Sequence, residues 1–177
     1  LSEWPDGPYE WQVKATANIL DGHNQLIIAG YGNGKTAVTY LHLLFVQELF
    51  NNPDIPCSGC KLVQHGIALI ISPLADLAHS QVKEMLTMGI HAVSLDKQSI
   101  KAAQVKGRNL LREVAQYKHP VVIISPERLY SPEFDRILQT DKIQEQLALC
   151  CIDEVHVVLP WSCTFCEAYA QLGHIRA

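Results

Sequence analysis

Residues 29–36 of this chain are Ala29-Gly30-Tyr31-Gly32-Asn33-Gly34-Lys35-Thr36, and they follow the apolar stretch Leu26-Ile27-Ile28. Backbone N–H groups surround a polyphosphate only where side chains are absent, and Gly32 and Gly34 supply such positions. Lys35 is then placed to reach the terminal phosphates, and Thr36 to offer its hydroxyl to Mg²⁺. The alternative is a glycine-rich turn, but strand, loop and helix patterns come in the order that phosphate binding requires. We therefore predict a nucleotide site made by the following residues: Gly30, Tyr31, Gly32, Asn33, Gly34, Lys35 and Thr36.

Composition limits the class of protein. A chain of 177 residues is long enough for one domain with a sizeable core and too short for two ordinary ones. The chain has no run of eighteen apolar residues and no basic-then-apolar start, so we expect a soluble intracellular protein with no membrane partner. Its net charge of −4 excludes a uniformly basic surface, so any nucleic-acid binding has to be local.

Basic residues concentrate in one part of the chain. Residues 97–118 contain six Lys or Arg residues and a single acid, Glu113. This run is either a set of phosphate contacts or, as is more common, a solvated helix face.

The six cysteines include two C-x-x-C pairs, Cys57/Cys60 and Cys163/Cys166. Four such ligands suit zinc, but the pairs lie about a hundred residues apart. We therefore expect reduced thiols without a metal.

Apolar strand patterns alternate with helical patterns along the chain. We predict strands at 26–29, 67–72, 92–95, 121–125 and 148–152, and helices at 10–20, 36–50, 74–88, 98–117 and 132–146. Residues 51–65, with two prolines, look like a surface insertion. The alternation predicts an α/β fold with a mainly parallel central sheet between helical layers, with ligands at the carboxyl ends of the strands.

An acidic pair follows the last predicted strand. Asp153 suits a metal ion and Glu154 suits the orientation or deprotonation of an attacking water. Two acids after a strand are also common at a helix N-terminus, where they favour the macrodipole. Because a phosphate loop needs such a partner, we predict that Asp153 and Glu154 share a site with Lys35 and Thr36.

Several segments together resemble the RecQ-type DNA helicases of superfamily 2. Asp153-Glu154-Val155-His156 is similar to their D-E-x-H box, Ile71-Ser72-Pro73-Leu74 with Gln81-Val82 to motif Ia, and Ser125-Pro126-Glu127-Arg128-Leu129 to their P-E-R-L segment. Trp161 and Phe165 match their aromatic-rich loop, and Gln12 their motif 0 glutamine. The alanine at position 29, in place of the first glycine of the strict phosphate-loop pattern, resembles motif I of the same superfamily.

The resemblance implies a RecA-like P-loop NTPase domain of three layers and a role for each matching residue. Gln12 would contact adenine, Lys35 the phosphates, Thr36 and Asp153 the Mg²⁺, and Glu154 the water, while His156 would couple ATP to DNA. The residues implied along the single-stranded DNA are Ser72, Pro73, Glu127, Arg128, Trp161 and Phe165. Four of these residues have a structural alternative. Gln12 would then be only a helix-surface residue, Arg128 a partner in a structural ion pair, and Trp161 and Phe165 packing residues.

The implied function is the ATP-binding half of a 3′ to 5′ DNA helicase in the nucleus, acting on single-stranded or duplex DNA. Residues 1–177 would form helicase domain 1, and a second RecA-like domain outside the chain would complete the motor. Departures from the pattern are Tyr9, where the family has arginine, and Ser162, Cys163 and Cys166 in the aromatic loop. They leave open a non-catalytic nucleotide- or nucleic-acid-binding remnant, and an ATPase acting on protein or RNA is a third, less favoured possibility.

Overall fold

The computed structural model describes residues 7–30, 32–55 and 63–155. In chain order the elements are α1 (Glu10–Leu20), α2 (Lys35–Asn51), β1 (Ile67–Ile71), α3 (Ala75–Thr87), β2 (Ala92–Ser94), α4 (Lys97–Val105), α5 (Leu110–Ala115), β3 (Val121–Ile124), α6 (Pro126–Leu129), α7 (Pro132–Leu138), α8 (Asp141–Gln146) and β4 (Leu147–Ile152).

The four strands form one parallel sheet in the order β2-β3-β1-β4. Since β1 and β3 are central, every residue of both strands is buried, as their continuous apolar sequences predict. The parallel α/β fold expected from the sequence is confirmed. All four carboxyl ends lie at one edge of the sheet, which is the edge that follows Ser94, Ile71, Ile124 and Ile152.

Alternate residues of the strands pack on opposite layers of helices. One core cluster joins Ala68 and Ile70 of β1 to Tyr40 of α2 and Met85 of α3. The other joins the opposite face of the sheet to α4, α5, α7 and α8 through Ala103, Leu110, Val114, Phe134 and Ile143. Helices therefore cover both faces, which gives the three layers.

The strand predicted at residues 26–29 is wrong for the described part of the chain. These residues form no ladder with another strand, and Leu26 and Ile28 are 70% and 90% exposed. A segment becomes a strand only where its N–H and C=O groups meet a neighbouring backbone. Within the described ranges, β4 pairs with β1 alone, so no strand lies beside residues 26–29.

Two predicted helices are each divided. The helix predicted at 98–117 breaks at Gly107, whose φ of +70° lies in the left-handed region, and Asn109 caps the new helix by accepting a hydrogen bond from the Arg112 N–H. The helix predicted at 132–146 breaks between Leu138 and Asp141. Elsewhere the predicted bounds agree with the structure to within one residue, and the P-E-R-L segment forms the short helix α6.

His42 is a buried titratable group on α2 and makes stability depend on pH. It is 1% exposed, and burial lowers its pKa to about 4, although the Val38 carbonyl offsets part of that effect. The unfolded chain protonates near pH 6.5, so between pH 6.5 and 4 it binds more protons than the folded chain. Stability therefore falls as the pH falls through this window. We expect His42 to account for a loss of about 2 kcal/mol between pH 7.5 and 5.

Chemical denaturation of His42→Leu across that range tests the expectation. The variant should lose about 2 kcal/mol less than the parent protein on acidification. His91→Leu, at an exposed histidine, is the matched control and should keep the parental pH profile. Parallel profiles for His42→Leu and the parent protein would show that His42 does not titrate in this way.

Candidate nucleotide and nucleic-acid site

The predicted site residues converge at the carboxyl edge of the sheet. Ser72 directly follows β1, Asp153 follows β4 and Ser125 follows β3. The glycine loop lies immediately before α2, which packs on β1. Residues far apart in the sequence are thus brought to one edge by the parallel topology, as ligand sites in such sheets require.

The loop is shaped by glycine conformations. Gly32 and Gly34 have φ values of +77° and +71°, which residues with a Cβ rarely adopt. A Cβ on Gly34 would also lie 2.8 Å from Nε2 of Gln12. The Lys35 ammonium group donates to the carbonyls of Ala29 at 2.9 Å and Gly30 at 3.3 Å. The Lys35 ammonium group, which the sequence predicts to contact the phosphates, is therefore already held at the loop.

Gln12 contacts the loop from α1 and is 2% exposed. Its Nε2 donates to the Gly34 carbonyl at 2.8 Å, and its Oε1 accepts from the Tyr9 N–H at 2.8 Å. The alternative that Gln12 is merely a helix-surface residue is therefore wrong. Tyr9 itself is 64% exposed, so its ring is accessible beside this contact.

Gln81 on α3 links the two halves of the site. Its Nε2 donates to Oδ2 of Asp153 at 2.9 Å and lies 3.5 Å from Oγ1 of Thr36. The residue is 4% exposed, and its Oε1 is buried without a hydrogen-bond partner among the described residues. The family resemblance places Gln81 within motif Ia but implies no role for it. A polar side chain on the buried face of an amphipathic helix, beside Ala78 and Met85, was the available signal.

Asp153 and Glu154 lie in a turn at the end of β4. The Asp153 N–H donates to the Ile71 carbonyl at 2.9 Å, which extends the ladder with β1 by one residue. The Glu154 N–H donates to Oδ1 of Asp153 at 3.0 Å. Glu154 has a φ of +53°, a left-handed conformation that costs a non-glycine residue about 1 to 2 kcal/mol. Such strain concentrates at functional sites.

The residues present fit a magnesium ion. A single amide contacts both the Thr36 hydroxyl and the Asp153 carboxylate, so these oxygen atoms lie close to a common point. Hard cations such as Mg²⁺ take oxygen ligands, usually one or two from protein with the remainder from phosphate and water. Within the described ranges no group of three or more His, Cys, Asp or Glu side chains could hold a metal unaided.

Four of the residues predicted to contact DNA are described, and they lie along the same edge: Ser72, Pro73, Glu127 and Arg128. Ser72 is 3% exposed and its buried hydroxyl has no partner among the described residues, while Pro73 is partly exposed. Glu127 is exposed on α6. Arg128 is half-buried, with Nη1 3.9 Å from Oε2 of Glu133. This distance is at the upper limit for an ion pair, so it agrees with the alternative that Arg128 forms a structural ion pair.

Part of the prediction falls outside the described residues. Tyr31, His156, Trp161 and Phe165 are among these, as are both C-x-x-C pairs: Cys57, Cys60, Cys163 and Cys166. The two described cysteines, Cys150 and Cys151, are free thiols. Burial, with a smaller effect from Asp153, raises the pKa of Cys151 to about 12, so this thiol stays protonated at neutral pH. None of the described helices combines the length and apolar character needed to cross a bilayer.

The sequence matches the model of a known protein family. The model of the DEAD/DEAH box helicase family matches residues 9–176, which is nearly the whole chain.

Individual relatives point the same way. The chain is 27% identical over 169 residues to the ATP-dependent helicase wrn-1 of Caenorhabditis elegans, covering 94% of this chain and 13% of that protein. It is 28% identical over 158 residues to the ATP-dependent DNA helicase RecQ of Haemophilus influenzae, covering 89% and 22%. The RecQ protein of Bacillus subtilis is 34% identical over 111 residues, covering 63% and 18%. The chain thus spans less than a quarter of the length of these relatives.

Proposed function

We propose, from the premise that this chain belongs to the DEAD/DEAH box helicase family and is RecQ-like, that it forms the ATP-binding half of a DNA helicase that moves 3′ to 5′. The observation that carries the proposal is the meeting of the glycine loop and the acidic pair at one sheet edge, where Gln81 contacts both Thr36 and Asp153. Two separate motifs of nucleotide chemistry are thereby assembled into one site.

In this proposal each side chain of the site has a defined role. Lys35 exchanges its carbonyl contacts for the β and γ phosphates, and Gln12 contacts adenine while it supports the loop through Gly34. Thr36 and Asp153 hold Mg²⁺, which neutralises charge on the phosphates when bound. Glu154 accepts a proton from the water that attacks the γ phosphorus, as the bond from that phosphorus to the ADP oxygen breaks.

The same edge supports the proposed DNA path. Ser72 and Ser125 follow adjacent strands, and the Ser72 N–H donates to the Ile124 carbonyl at 3.0 Å. The segments that carry Pro73, Glu127 and Arg128 therefore start at neighbouring positions of the sheet edge, close to the proposed ATP site. A second RecA-like domain is part of the proposal, because hydrolysis must change the spacing of two bodies to move a strand. The DNA substrate also implies the nucleus in a eukaryotic cell.

The test is nucleotide binding and single-turnover ATP hydrolysis by the 177-residue chain, with and without single-stranded DNA. A fluorescent ATP analogue should bind in a magnesium-dependent way, and ATP should be hydrolysed slowly. Failure to bind nucleotide in the presence of magnesium would contradict the proposal. Rapid unwinding by this chain alone would contradict the requirement for a second domain.

Gln81 is expected to act as a positioning residue for the metal ligands. Gln81→Met keeps the size and flexibility of the side chain but removes the donor that orients Asp153 beside Thr36. Loss of such a supporting contact typically weakens metal affinity by about 10- to 100-fold, and we expect about 10-fold because Asp153 keeps its bond from the Glu154 N–H.

Magnesium titrations of nucleotide binding measure this effect. Nucleotide affinity without magnesium should be unchanged in Gln81→Met, which separates positioning from general damage. Gln104→Met, at an exposed glutamine on α4, is the control. An equal loss of affinity with and without magnesium would indicate a purely structural role for Gln81.

A further inference from the structure

We propose that three exposed lysines of α4 and its carboxyl end, Lys97, Lys101 and Lys106, form a second contact region for the phosphate backbone of DNA. We call them the α4 basic face. The proposal rests on the proposed function in one respect, namely that DNA is the partner. It adds a surface outside the segments that the family resemblance assigns to DNA.

The position of α4 makes this surface continuous with the proposed DNA path. In the sheet β2 lies beside β3, and the Leu95 N–H donates to the Ile123 carbonyl at 2.8 Å. Lys97 follows Leu95 by two residues, just as Ser125 follows Ile123. Neighbouring strands lie about 4.8 Å apart, so the start of α4 is the next point along the edge after Ser125. A single strand of DNA that passes Ser72 and then α6 is therefore directed towards Lys97.

The helix geometry places two of the three lysines on one side. Lys97 and Lys101 are four residues apart on α4 and therefore lie on the same face, one turn apart. Lys106, the C-cap residue, lies on a different side of the helix. The buried Ala103 and the partly buried Ile100 anchor α4 in the core. Lys97, Lys101 and Lys106 are all exposed. The α4 basic face thus projects away from the core, as a surface that meets a large polyanion must.

These charges are not neutralised locally. The one acid within residues 97–118, Glu113, binds Arg108 through two hydrogen bonds of 2.9 and 2.6 Å and also contacts His119 at 3.1 Å. The Arg108 and His119 contacts hold the pKa of Glu113 at about 2, so it stays charged and engaged. Within the described ranges, no carboxylate lies within 4 Å of the ammonium group of any lysine in the α4 basic face.

The concentration of positive charge in this run suits a polyanionic ligand. Six of the fourteen basic residues of the chain fall in these 22 positions, although the whole chain has a net charge of −4. The only aromatic residue of the run, Tyr117, packs against the core cluster, so base stacking is not available here. Charge without stacking favours contact with phosphates, independent of sequence.

Oligonucleotide length provides a test. Binding of the 177-residue chain to thymidine oligomers of about 6 and about 20 nucleotides is measured over a range of salt concentrations, since single-strand sites span roughly 4 to 16 nucleotides. The test variant is Lys97→Gln/Lys101→Gln/Lys106→Gln. The matched control is Lys14→Gln/Lys83→Gln/Lys142→Gln, at three exposed lysines on α1, α3 and α8. Thermal unfolding verifies that both triple variants fold.

The test variant should bind the long oligomer about tenfold more weakly at low salt, with a salt slope reduced by about 2, since each single-strand phosphate contact contributes about 0.7. Its affinity for the short oligomer and for ATP should be unchanged. Long-oligomer affinity equal to that of the control variant would overturn the proposal, and so would an equal loss for both lengths. Failure of the chain to bind ATP would instead count against the proposed function and leave this comparison intact.

Discussion

Glu154→Gln is expected to slow single-turnover ATP hydrolysis by about a thousandfold, within the range of about 10² to 10⁴ that a general base contributes. Glutamine has the same shape as glutamate but cannot accept the proton of the attacking water. The main chain at this position keeps its bond from the Glu154 N–H to Asp153, so the metal ligand stays oriented. ATP affinity should therefore change by less than about twofold, a small fraction of the effect on rate.

Quench experiments that follow phosphate release from saturating ATP measure this change. Glu145→Gln, at an exposed glutamate on α8, removes the same charge from a remote surface and should hydrolyse ATP at the parental rate. Equal rates for Glu154→Gln and the parent protein would remove Glu154 from the reaction. That result would favour a nucleotide-binding module that performs no catalysis.

Lys35→Ala should weaken ATP binding by about a hundredfold, because one charge-assisted contact with phosphate in a partly buried site contributes about 2 to 3 kcal/mol. The Lys35 ammonium group is positioned at the loop by the carbonyls of Ala29 and Gly30, so it reaches phosphate without a large rearrangement. The loss should be greater for ATP than for AMP, since only ATP carries the β and γ phosphates that this residue is proposed to contact.

Fluorescence titration with matched ATP and AMP analogues separates these terms. Lys83→Ala, at an exposed lysine on α3, is the control and should bind both nucleotides as the parent protein does. An unchanged ratio of ATP to AMP affinity in Lys35→Ala would refute the assignment of Lys35 to the terminal phosphates.

Much of the fold could be predicted from local pattern. Continuous apolar segments gave the central strands β1 and β3 because both faces of a parallel sheet are buried, and that requirement is visible in sequence. The acidic pair and the glycine loop could be assigned to one edge for the same reason, since parallel strands all end there. The site residues themselves stay predictions that the variants above test.

The features that could not be predicted from the sequence depend on contacts between segments that are distant in the sequence. Leu26 and Ile28 have good strand composition, yet a strand exists only beside another strand, and the described chain supplies none there. Gln81 was overlooked as a site residue because its role comes from the packing of α3 between Thr36 and Asp153, residues 45 and 72 positions away. The residue pattern within one segment contains no information about contacts with residues so far away in the sequence.

The close contact between Gln12 and Gly34 has a consequence for nucleotide specificity. The same amide that is proposed to recognise adenine also donates to the loop carbonyl at Gly34, and a Cβ there would collide with it. In the proposed function, selectivity for the base and affinity for the phosphates are therefore coupled through Gln12. An attempt to redirect it from adenine to guanine by substitution at Gln12 alone would disturb the phosphate loop.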